Sequence, residues 1–215
     1  MKYDPLKHHR RSIRLKGYDY SSPGAYFVTI CVERREHRLG EIVDGVMRLN
    51  DAGRMVQAAW QALPGRFPNI RLDEFVIMPN HVHGIIVITV TSVGATLGVA
   101  PDGVAPADRA GTSPAPPPGR PTLGNIVGAF KSITTDEYIR GVKFAGWPPF
   151  VKRIWQRDYW DRILPDERAL NIVRRYIQNN PRNWLVDRDN TRNLHRLPPP
   201  TQVGDYLSDA GVPLE

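Results

Sequence analysis

A single cysteine, Cys31, in 215 residues rules out an internal disulfide framework and a cysteine zinc site, and it fits a reducing cytosol. No run of about 18 uninterrupted apolar residues occurs, so no membrane-spanning helix is expected. The opening stretch from Met1 to Arg11 lacks the apolar core of a signal peptide. Acidic residues are in the minority, 22 against 29 Lys and Arg, giving a formal net charge of +7 and a pI near 9.7. That balance favours a polyanionic partner, most simply nucleic acid. The excess is uneven: Lys7, Arg10, Arg11, Arg14 and Lys16 cluster near the start. A second group, including Lys152, Arg153, Arg157, Arg162, Arg168, Arg174, Arg175 and Arg182, runs through the last third.

What remains is sufficient for one sizeable domain, since 41% of the chain is hydrophobic. Ala25 to Val32 is rich in aromatic and β-branched residues and reads as a buried strand. His37 to Asn50 reads as a hairpin turning at Asp44-Gly45. Asn50 or Asp51 caps a helix to about Leu63, with Met55, Val56, Ala59, Trp60 and Leu63 on one face and Pro64-Gly65 as its stop. Strands over Ile70–Met78 and His81–Val90 follow, joined at Pro79-Asn80. From Thr91 to Pro121 the composition turns to Gly, Ala, Pro, Ser and Thr, as expected of a mobile insertion inside the domain. A helix from about Thr122 to Arg140, an irregular stretch from Trp147 to Trp155, a further strand and a helix between Pro165 and Pro181 complete the pattern. The order predicts an α+β sandwich with a mainly antiparallel sheet.

His81 and His83 stand inside the hydrophobic run Phe75 to Ile88. Residues i and i+2 of a strand share a face, so both rings leave the backbone side by side and two imidazoles can serve one cation. Packing alone would favour Val or Ile there. Gly84 beside them is read as a point of close approach by a ligand or another backbone. The other four histidines, His8, His9, His37 and His195, show no ligand spacing.

The last helix carries a second constellation. Ala169, Ile172, Val173, Tyr176, Ile177 and Asn180 follow helical spacing, so Tyr176 and Asn180 reach the same neighbour. A phenol and a carboxamide on an inward face need partners. Pro181 biases Asn180 away from helical dihedrals, which leaves Asn179 as the alternative. Tyr159, in an Arg-rich stretch, is the second choice of tyrosine.

Met78-Pro79-Asn80-His81-Val82-His83, followed about ninety residues later by Tyr176-Ile177 and Asn180-Pro181, resembles the single-tyrosine HUH transposases. More narrowly, it looks like the REP-associated tyrosine transposases of the IS200-like superfamily. Supporting segments are Gly24 to Ile30, Val127 to Ser132 and Gln156 to Arg162, and the likeness covers about residues 12–186. It implies a ferredoxin-like sandwich and a domain over 21–187. A basic arm over 1–20 precedes it, the insertion at 91–121 interrupts it, and a tail over 188–215 follows. It implies that Tyr176 is the nucleophile and that His81, His83 and Asn180 bind a divalent cation. Neutral nitrogen and amide ligands with open positions suit Mg²⁺ or Mn²⁺, imidazole shifting the preference toward Mn²⁺. The implied partner is single-stranded or hairpin DNA, handled by a monomer or homodimer in the cytoplasm of a prokaryotic-type cell, associated with the nucleoid. Arg10, Arg11, Arg14, Lys131, Arg157, Arg162 and Arg175 are the candidate DNA contacts. Three readings stay open: a strand transferase, a catalytically silent hairpin-binding protein, and a hydrolase of small phosphoesters. A distance of about 5–8 Å from the Tyr176 hydroxyl to the histidine rings is expected from metal-ligand lengths.

Overall fold

The computed structural model describes residues 14–15, 17–90, 120–187 and 189–193. Arg10, Arg11 and residues 91–119 of the expected insertion lie outside them. The elements are β1 (Gly24–Cys31), β2 (Gly40–Val43), β3 (Val46–Leu49), α1 (Asp51–Gln61), α2 (Leu63–Arg66), β4 (Ile70–Met78), β5 (His81–Ile88), α3 (Leu123–Phe144), β6 (Trp160–Leu164) and α4 (Glu167–Asn179). The main sheet has the order β4-β5-β1-β6 with every neighbouring pair antiparallel. Its path β1-α1-β4-β5-α3-β6 is that of a ferredoxin-like sandwich, with β2 and β3 as a separate hairpin.

The strands alternate as a half-buried pleat must, but here both faces are covered. Tyr26, Val28, Ile30, Val82, Ile86 and Ile88 pack with Val56 and Trp60 of α1 and Ile126, Val127 and Phe130 of α3. Phe27, Ile85 and Leu164, on the opposite face, pack with Val173, Tyr176 and Ile177 of α4. At 25 cal/mol per Å² of apolar surface, as a rough rule, these two layers dominate the favourable side of folding.

Local signals explain most boundaries. The Asn50 side chain accepts from Gly53 N at 2.9 Å and starts α1. Asp44 and Gly45 both take positive φ, 52° and 72°, which matches the primed hairpin turn their sequence suggests. Pro64-Gly65 does not stop the helix: α1 ends at Gln61, and Pro64 sits in the first turn of α2, where its missing N–H has no partner to lose. Thr122 and Asn125 form a capping box for α3. That helix runs about a turn past Arg140, to Phe144, and closes where Gly146 takes φ 68° and Trp147 N returns to Gly141 O.

Gly84 has a different role from the one its sequence suggests. A Cβ there would lie 2.3 Å from the Trp60 indole, on the face away from the histidines. The missing side chain makes room for the largest core residue, not for a ligand. Gly84→Ala is accordingly expected to cost about 1–3 kcal/mol, read as a lower urea midpoint at constant m-value. An unchanged midpoint would mean that the indole shifts at no cost.

Candidate active site

His81 and His83 project from the first turn of pleat of β5, where β1 and β4 end, onto the α4 face of the sheet. Both rings are fully buried and their centroids are 4.3 Å apart. His81 Nδ1 lies 2.8 Å from Asn80 Oδ1, while its Nε2 has no hydrogen-bond partner among the described residues. His83 Nδ1 lies 2.8 Å from Thr29 Oγ1, directly across the β1–β5 ladder. Its Nε2 lies 3.1 Å from the Tyr176 hydroxyl.

Tyr176 is held there by the docking of α4. The Asp166 side chain accepts from Ala169 N at 2.8 Å and starts the helix, and Val173 and Ile177 anchor it to the sheet. Arg174 forks onto both carboxylate oxygens of Asp73 on β4, each at 2.7 Å, which fixes the helix laterally. The Tyr176 ring stands edge-on to Phe27 at 6.0 Å and tilted to His83 at 5.2 Å, centroid to centroid. The hydroxyl therefore sits closer to the imidazole than the 5–8 Å expected. At 3.1 Å the two groups touch directly.

Asn180 keeps helical dihedrals, φ −56° and ψ −43°, in spite of Pro181. It therefore stays on the Tyr176 face, is 2% exposed, and its Oδ1 is buried without a hydrogen-bond partner among the described residues. Asn179 is exposed. The chain then turns back under the site. Trp184 stacks near His81 at 6.1 Å, and Asp187 brings a carboxylate oxygen within 4.8 Å of a ligand atom of each histidine. Asp187 Oδ1 also accepts from Asp189 N at 2.6 Å. Asp189, fully buried, forms an ion pair with Arg35. Asp187 and Asp189 went unnoticed in the sequence, where 188–215 reads as tail; the signal is a run of polar residues, Asp187 to Asn190, just after the last helix.

The other candidates divide. Arg14 donates to the Tyr159 hydroxyl at 2.7 Å and lies over the Tyr20 and Tyr159 rings. Tyr159 belongs to the α1–α3 core, and burial pushes its phenol well above the usual range, so it does not join the histidines. The Lys131 ammonium donates to the carbonyls of Gln156, Arg157 and Asp158, and burial lowers it to about 8. It straps α3 to that loop and does not reach Tyr176. Arg157 is exposed beside it, on a cavity of about 310 Å³. Arg162 stands opposite Phe27 on the α4 face, with Nη1 buried and unbonded among the described residues. Arg175 is exposed next to Tyr176.

The donor set suits a divalent cation. His81 Nε2 and Asn180 Oδ1 are buried and without a partner among the described residues, and a carboxylate stands by; all three are acceptors. Burial, then the neighbouring His83 and Arg35 charges, hold His81 well below 6.5. Burial and Arg35 bring His83 down to about 3. Both rings are neutral at physiological pH, the form that ligates metals.

No family model matches the chain. An uncharacterized protein of Haemophilus influenzae is 40% identical over 186 residues, which span 86% of this chain and 96% of that protein. The chain belongs to that protein's family. Among solved structures it is similar to a REP-associated tyrosine transposase bound to a REP hairpin, at 16% identity and a TM-score of 0.49, over 81% of this chain and 74% of that one. A likeness of that degree assigns no role to any residue here. No helix among the described residues is long and apolar enough to cross a membrane.

The depressed histidines set the acid response of the fold. The unfolded chain binds protons at these rings near pH 6.5 and the folded chain only far lower, so stability is complete above 6.5 and falls as pH drops toward about 3. The expected slope is about 1.4 kcal/mol per pH unit per ring, read from urea midpoints across that range. A His81→Gln/His83→Gln double variant with the same slope would place the acid sensitivity elsewhere.

Proposed function

We propose that the protein is a metal-dependent single-stranded DNA endonuclease and strand transferase that acts near hairpins through Tyr176. The observation that carries this reading is the Tyr176 hydroxyl 3.1 Å from His83 Nε2, with His81 packed against the same imidazole. The ordered set of motifs and the net charge of +7 support it.

A cation held by His81, His83, Asn180 and Asp187 would supply Lewis-acid stabilisation to the non-bridging oxygens of the scissile phosphate. The chain's own groups do the rest. Tyr176 Oη is the attacking atom; as it bonds to phosphorus the strand's P–O bond breaks, the phenol proton passes to solvent, and the departing oxygen takes up a solvent proton to leave as a free hydroxyl. In the resting arrangement the Tyr176 hydroxyl and His83 Nε2 share a hydrogen bond; engaging Nε2 with the cation would release the phenol to turn toward the phosphate. The aryl phosphodiester keeps the energy of the cut bond, so a second hydroxyl can reverse the step and join a new strand without ATP. Thr29 holds the back of the His83 ring, Phe27 and Ile177 exclude water from below, and Arg175 on the solvent side of α4 meets the DNA backbone.

Incubation with Mn²⁺ and a labelled hairpin oligonucleotide should give a denaturant-resistant protein–DNA adduct that Tyr176→Phe abolishes. Salt-sensitive hairpin binding with no adduct under any divalent cation would favour the silent binding protein. Turnover of a small phosphoester without covalent attachment would favour the hydrolase.

The ligand set separates by calorimetry. Asn180→Ala and Asp187→Asn should each weaken Mn²⁺ binding about tenfold or more, in the range known for ligand-shell substitutions. Unchanged affinity in Asp187→Asn would leave Asn180 as the third ligand.

A further inference from the structure

We propose that Asn80 is a positioning residue that fixes the tautomer of His81 and so makes Nε2 its coordinating atom; this rests on the metal-dependent reading above. Asn80 is fully buried and every polar atom of its side chain is used. Its Nδ2 donates to Arg35 O at 3.1 Å and to Asp189 O at 2.8 Å. Backbone carbonyls only accept, so the amide nitrogen must face them and the amide oxygen must face His81. Oδ1 in turn only accepts, so the hydrogen in the 2.8 Å contact belongs to His81 Nδ1. A neutral imidazole with hydrogen on Nδ1 carries its lone pair on Nε2, the atom that is buried and unbonded among the described residues. Asp189 Oδ2, 4.0 Å from Nδ1, favours the same proton position.

The frame around Asn80 is rigid. Its carbonyl accepts from Val32 N at 2.8 Å, and the Pro79 carbonyl accepts from Arg38 N and Leu39 N at 2.9 and 3.0 Å. Arg34 and Arg35 both adopt left-handed backbone, φ 57° and 55°, a conformation that non-glycine residues keep only when their surroundings hold it. The Asn80 amide on the Arg35 carbonyl and the Asp189 carboxylate on the Arg35 guanidinium supply that hold. The turn between β4 and β5 thus joins three chain segments, and its outcome is the orientation of one imidazole.

The test uses the full-length chain labelled with ¹⁵N-histidine, with His81 assigned by comparison with His81→Gln. Protonated and bare ring nitrogens of a neutral imidazole resonate far apart, so the spectrum reads the tautomer directly. Wild type should show hydrogen on Nδ1, and Asn80→Asp, which keeps the acceptor, should show the same. Asn80→Leu should lose that preference and bind Mn²⁺ about 10–100-fold more weakly. Hydrogen on Nε2 in the wild type overturns the proposal, a result that needs no variant to fold. An unchanged tautomer in Asn80→Leu, or a changed one with unaltered Mn²⁺ affinity, also overturns it. A wild type that shows hydrogen on Nδ1 yet binds no Mn²⁺ sinks the metal-dependent reading and with it the coordinating role of Nε2. The adduct assay with Tyr176→Phe reads the nucleophile separately.

Discussion

The register of β5 between β1 and β4 is the constraint on which the rest depends. Side chains alternate faces along a strand, so a slip of one residue would exchange every inward and outward position. In the observed register His81 and His83 face α4, and Gly84 and Val82 face α1 and α3. Trp60 can occupy the space above Gly84 only because the histidines point the other way. The packing of the largest core side chain and the convergence of two imidazoles are therefore one decision. The hydrophobic layer that rewards the register is on the face away from the chemistry, which lets the α4 face carry polar groups without loss of a core.

That polar face is tolerated because most of its groups are neutral or paired; Arg162 Nη1, buried and unbonded among the described residues, is the exception. The imidazoles stay uncharged where burial is complete, and each has a hydrogen-bonded Nδ1. The Arg35–Asp189 ion pair is buried on the acid side and nearly so on the basic one. Removing either partner would strand a charge at a cost of several kcal/mol, while the intact pair is worth little net. Such an arrangement stabilises one geometry more than it stabilises the fold. Helix α4 shares the logic: Val173 and Ile177 hold it down, Arg174 on Asp73 sets its angle, and Tyr176 and Asn180 are placed as a result.

Much of this was legible along the chain. Composition placed β1, β4 and β5, helical spacing placed the apolar faces of α1 and α4, and Asp44-Gly45 and Asn50 marked a turn and a helix start through local chemistry; β6 was expected only as a strand somewhere after Trp155, and the capping box at Thr122 was not read. The pairs His81/His83 and Tyr176/Asn180 were visible because spacing along one element determines what shares a face. What was not legible depends on contacts between distant segments. Gly84 answers to Trp60, which is 24 positions away and on another element. Lys131 reads as a DNA contact until its three carbonyl partners in a distant loop are seen. Asp187 and Asp189 follow a terminated helix, where polar residues ordinarily signal surface. Asn180 defied its own local bias, since Asn183 N on its carbonyl continues the turn past Pro181.

The acceptor character of the pocket gives the chemistry its direction. Arg35 is already committed to Asp189, and the Asn80 amide to two carbonyls. Among the described residues, His81 Nε2 and Asn180 Oδ1 face the site without a hydrogen-bond partner, the Asp187 carboxylate stands beside them, and the Tyr176 and Thr29 hydroxyls contact His83 at Nε2 and Nδ1. A buried water has two hydrogens to donate, and orphaned acceptors otherwise cost about 1–3 kcal/mol each. A cation satisfies several acceptors at once and needs none of them to be protonated, which the depressed histidines already oppose. Tyr176, packed at the edge of that pocket on a separately anchored helix, is the phenol that the fold sets against His83 among the described residues.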